Sequence, residues 1–82
     1  MDIEVRFYAG YKGEETPRVL VSGGREYPVE RVLSRRRCAD KETGATFELF
    51  AILVSGKKVL IRKDESGEAA ILPSSDVSFI QP

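Results

Sequence analysis

The sequence predicts an all-β (mainly β) domain, a small, partly open barrel of the SH3-like or OB-like kind made of about six short antiparallel strands. Three observations carry that expectation. Apolar and polar residues alternate with a period of two from Ile3 to Phe7. Glycine-centred turn signals recur at short intervals, at Gly23-Gly24, Gly44, Gly56 and Gly67. The most apolar segment, Thr46 to Val54, is apolar on both faces, and a single open sheet would leave one of them bare.

Each element follows in order. Ile3, Val5 and Phe7 share one face of a half-buried strand, with Glu4 and Arg6 on the other. Gly10 to Pro17 is polar and punctuated by Gly and Pro, and reads as a surface loop. Arg18 to Val21 reads as a second strand, and Ser22-Gly23-Gly24-Arg25 supplies a turn able to take the positive φ angles of a tight hairpin. Tyr27 and Val29 begin a third strand, whose phase breaks at Val32-Leu33, because adjacent apolar residues cannot both point inward from a regular strand. A bulge or a bend would resolve that break. A helix competes over Pro28 to Cys38, with Pro28 in a first-turn position and Val29, Val32 and Leu33 at helical spacing. Its apolar stripe would end at the charged Arg36 and Arg37, which favours the strand.

Asp40 to Gly44 is a polar turn, after which Phe47, Leu49, Ala51 and Leu53 fall on one face of a strand and Phe50, Ile52 and Val54 on the other. Such a strand is central to a barrel, bent so that each half uses a different face, or covered by a partner. Ser55-Gly56-Lys57 turns into Val59-Leu60-Ile61, and Asp64 to Gly67 turns into Ala69 to Leu72. Pro73 to Asp76 reads as a single helical turn or a β-turn, and Val77 to Ile80 as a short closing strand.

Bulk composition bounds the function. Residues 1–82 are enough for one core and leave no room for a second domain. Apolar residues make up 41% and charged residues 32%, the composition of a folded chain rather than a disordered one. Thirteen basic residues balance thirteen acidic ones, so attraction to nucleic acid would need a local patch. One cysteine, Cys38, and no histidine exclude an internal disulfide, the usual serine and cysteine triads and ordinary zinc sites. The expected setting is the reducing cytoplasm. The N-terminus lacks the unbroken apolar run of a signal peptide, and the longest apolar run, Phe50 to Val54, is too short to span a bilayer, so no membrane role is expected.

No catalytic, cofactor-binding or metal-ligating residue stands out, and an enzyme is not expected. Cys38 follows Arg35-Arg36-Arg37, but without a second catalytic partner it reads as a small half-buried strand residue. Glu14-Glu15 and Asp64-Glu65 suit turns, and Gly23-Gly24 lacks the other glycines and the lysine of a phosphate loop. The most suggestive feature is basic: Arg31, Arg35, Arg36 and Arg37, with Lys57, Lys58, Arg62 and Lys63. On one side of a barrel these would form a positive patch, with Tyr27, Tyr8 or Tyr11 as stacking surfaces. Against that, Glu30, Asp40, Glu42, Asp64 and Glu65 interleave with them, as on an ordinary solvated face.

Ile3-Glu4-Val5, Pro17, Gly24-Arg25-Glu26-Tyr27-Pro28-Val29 and Val32-Leu33 occur in an order that resembles a family of uncharacterised small bacterial β domains. The resemblance covers roughly the first forty residues, in short motifs of low specificity. Some members stand near or are fused to Y-family DNA polymerase-like proteins, so the resemblance implies a DNA-repair neighbourhood. The family often carries tryptophans two residues before the Gly-Arg pair and after the Val-Leu pair; here Ser22 holds the first position and the chain has no tryptophan. The leading functional expectation is a non-enzymatic interaction module that binds a protein partner or self-associates through the apolar strand. A nucleic-acid-binding barrel is the alternative.

Overall fold

The computed structural model describes residues 3–9 and 15–80, which form seven strands and no helix. The strands are β1 (Glu4–Ala9), β2 (Glu15–Ser22), β3 (Arg25–Pro28), β4 (Arg31–Ala39), β5 (Thr46–Val54), β6 (Lys57–Asp64) and β7 (Ala69–Ile71). They make two antiparallel sheets, β1-β2-β3 and β4-β5-β6-β7, in chain order. Beyond these strands, the proposed loop residues Gly10 to Glu14 lie outside the described residues.

The sheets face one another across a core of Leu20 from β2 and Phe50, Ile52, Val54, Val59 and Ile61 from β5 and β6. Ile3, Val5, Phe7, Tyr27 and Ile71 pack around it, and the Phe7 and Phe50 rings lie 5.7 Å apart. Among the described residues no ladder joins the sheets, so the barrel they form is partly open. The expected third strand divides at its middle. Val29 N–H still donates to the Arg18 carbonyl of the first sheet, and the next amide, Glu30, donates to Leu53 of the second.

The phase break at Val32-Leu33 is a bulge: Val32 pairs with Ile52 and Ser34 with Ala51, leaving Leu33 as the extra residue. The stretch from Arg31 to Ala39 is therefore strand, not helix. The turn before β6 uses Ser55 at φ 49° and Gly56 at φ 73°, the left-handed pair that a two-residue hairpin needs.

Two expectations need correction. Glu15 to Pro17 belong to β2 rather than to a loop. Pro17, buried opposite Phe7, is tolerated because β3 pairs only with Val19 to Ser22, so no neighbour needs the missing N–H, and a register shift lies beside it. Val77 to Ile80 form a turn in place of a closing strand, with Ile80 N–H donating to the Val77 carbonyl. This segment nonetheless covers the core, since Ile80 is buried and Phe79 meets Tyr27 edge-on at 5.4 Å.

Candidate binding surface on the second sheet

Residues paired across an antiparallel ladder point to the same side, so register assigns each basic residue to a face. Phe50, Ile52 and Val54 face the core, which turns Phe47, Leu49, Ala51 and Leu53 outward. Arg31 and Lys58 both pair with Leu53 and flank it. Arg36 and Arg62 flank Leu49 in the same way. Between these rows Ser34 and Leu60 flank Ala51, and beyond them Cys38 and Asp64 flank Phe47. The outer face thus has an apolar stripe on β5, half-buried at Phe47, Leu49 and Leu53 and buried at Ala51, between two rails of positive charge.

The bulge creates one of the rails. Arg31 and Arg36 are five positions apart, an odd spacing that puts them on opposite faces of a regular strand. The extra residue at Leu33 shifts the phase by one and brings them to the same face. Arg62 lies over Phe47, its Cζ 4.1 Å from the ring centroid, in a cation–π contact.

Asp64, at the end of the β6 row, is the carboxylate that the strands of this sheet place on the outer face. The strands of this sheet contain two carboxylates, Glu48 and Asp64. Glu48 points to the inner side, where Arg35 Nε donates to it at 2.7 Å. Asp64, at the end of β6, accepts from the Ser66 hydroxyl and amide and from the Glu68 amide. Its pKa is held below the ordinary carboxylate value, chiefly by the Ser66 hydroxyl and least by the charge of Arg62. Glu65 is lowered by the Thr46 amide and hydroxyl that donate to it. Asp76 is lowered by the Ser78 hydroxyl and amide. Glu30 accepts from Gly56 N–H at 2.8 Å.

The other basic candidates separate from the rails. Arg35, Arg37 and Lys63 point to the inner side at the open end of the core. There Arg35 covers Phe50 as well as bonding Glu48, and Lys63 covers Phe7 while pairing with Glu15 across the gap between sheets. These two close the core end. Arg37 lies beside them in an open cleft of about 700 Å³ that also holds Glu15, Glu48 and Glu65. Lys57, at the turn, lies 4.0 Å from Asp76.

Of the eight basic candidates, the structure brings Arg31, Arg36, Lys58 and Arg62 onto one face, leaves Arg35, Arg37 and Lys63 on the other, and puts Lys57 at the edge. Tyr27 belongs to the first sheet and packs against Phe79, not on the face that carries Arg31, Arg36, Lys58 and Arg62. Tyr8 is 52% exposed on β1, and Tyr11 lies outside the described residues. Cys38 is half-buried on β4, opposite Phe47. Leu60 completes the apolar stripe and was not marked by sequence; its register opposite Ala51 follows once the Ser55-Gly56 hairpin is placed. No protein-family model, characterised protein or solved structure matches the chain.

Proposed function

We propose that this domain is a non-enzymatic binding module that takes an acidic segment of another protein on the β4–β6 region of its second sheet. The observation that carries the reading is the pair of cationic rows, Arg31 with Lys58 and Arg36 with Arg62, set about a stripe of Leu53, Ala51, Leu60 and Leu49. Positive rails select a negative ligand, and the aliphatic stripe supplies apolar contact area. Among the described residues the carboxylates with displaced pKa values, Asp64, Glu65 and Asp76, all move down, away from the raised values of a general acid, which supports a binding role. A cytoplasmic setting agrees with the single unpaired Cys38.

Selection from a displayed library of random peptides of about ten residues, the upper length of an ordinary strand, tests the reading. Enriched peptides will be acidic with interspersed aliphatic residues, and Arg36→Ser with Arg62→Ser will abolish their enrichment. No enrichment, or enrichment indifferent to those substitutions, overturns the proposal.

Arg62 over Phe47 favours a second reading, single-stranded nucleic acid, which uses cations beside a ring. It also agrees with the DNA-repair neighbourhood implied by the sequence resemblance. It ranks second because Phe47 is the one aromatic ring among the described residues of that face and already lies beneath Arg62, while Leu49, Leu53 and Leu60 offer no stacking surface. Salt-sensitive binding of oligo(dT) with no peptide enrichment would put this reading first.

A further inference from the structure

We propose that the acidic segment enters as an added strand on the free edge of β4, extending the second sheet by one; this rests on the binding-module reading above. β4 is a nine-residue edge strand whose only ladder among the described residues is with β5. It is exposed along almost its whole length. Asp40 N–H donates to the Ala45 carbonyl, so alternation turns the N–H and C=O groups of Arg37 and Ala39 away from β5, toward the open edge. A row of backbone donors and acceptors of this kind is what strand addition uses.

The side chains specify the occupant. Arg36 points to the outer face and Arg37 to the inner one, and neither has an ion-pair partner among the described residues. An incoming strand therefore meets a guanidinium without an ion-pair partner on each face, Arg36 on the outer one and Arg37, beside the cleft that also holds Glu15, Glu48 and Glu65, on the inner one. Arg31 adds a third unpaired guanidinium further along. Near it, Val32 and Leu33 are 37% and 38% exposed at the bulge and offer apolar contact. A second copy of β4 would set arginine against arginine, and like charges opposed across a ladder are destabilising. The edge thus rejects its own kind and accepts an extended acidic segment carrying an aliphatic residue toward the bulge.

The probe is a blocked peptide of about ten alternating glutamates and valines, made also in two forms N-methylated at one or the other set of alternate amides. Strand addition predicts slower amide hydrogen exchange at Arg37 and Ala39 in the complex, by about tenfold or more. One of the two N-methylated forms will lose about tenfold in affinity, because one alternate set of amides faces the protein, and the other form will not. Arg36→Ser with Arg37→Ser will weaken binding, while Lys41→Ser, in the following turn, will not. If the peptide binds while both N-methylated forms bind equally well and the two amides exchange as before, strand addition is overturned and the module reading survives. Failure of every peptide to bind overturns both. Oligo(dT) that binds while the peptides do not also overturns strand addition, since a nucleic acid has no strand to add.

Discussion

Phe50 holds the two sheets and the basic end of the molecule together. It is 1% exposed, with the Phe7 ring of the first sheet on one side and the Arg35 guanidinium 5.4 Å from its centroid. Phe50→Ala will cost about 3–5 kcal/mol in chemical denaturation, through lost transfer energy and the cavity left behind. Titration acts on different residues. Asp64 and Asp76, each held down by a serine hydroxyl, and Glu65, held down by the Thr46 amide, have folded pKa values below their unfolded ones. Their contribution is complete above the ordinary carboxylate range and is lost as pH falls through the lowered values. Thermal melting will therefore drop as pH falls below the ordinary carboxylate range of about 4, and Asp64→Asn combined with Glu65→Gln will flatten that drop.

Among the elements, the turns are the sharpest points of sequence control. Gly56→Ala leaves a Cβ in open space but forces a side chain to φ 73°, so it will cost about 1 kcal/mol, measured by urea unfolding. The strands, turns and bulge were legible because each depends on neighbours in sequence: the alternation of Ile3, Val5 and Phe7, the Gly23-Gly24 pair, and the Val32-Leu33 phase break. Val77 to Ile80 misled because Val77 and Phe79 alternate as a strand would, while the segment lies irregularly against the core with the same two residues packed on it. Pro17 misled because proline argues against a strand unless the neighbouring strand stops short of it, which only the pairing reveals. The basic residues were legible as a group, but their division was not. It depends on register across three strands and on the Lys63–Glu15 pair, which joins residues 48 positions apart.

At the scale of the whole molecule, zero net charge conceals a local concentration: β4 carries Arg31, Arg35, Arg36 and Arg37 and no carboxylate, with Arg35 and Arg37 turned toward the carboxylates at the open end of the core. If that arrangement keeps the β4 edge from pairing with itself, then Arg35→Thr, Arg36→Thr and Arg37→Thr together will produce self-association. Sedimentation will detect it at concentrations where the 9.1 kDa parent stays monomeric. The passage between sheets has a different consequence. Every ladder joins strands consecutive in sequence, and the chain changes sheet once, at Val29-Glu30. Severing that peptide bond leaves each ladder intact within one fragment or the other. Fragments 1–29 and 30–82, mixed in equal amounts, will reassemble and recover the far-UV circular dichroism of the intact chain, which makes the domain a natural split reporter.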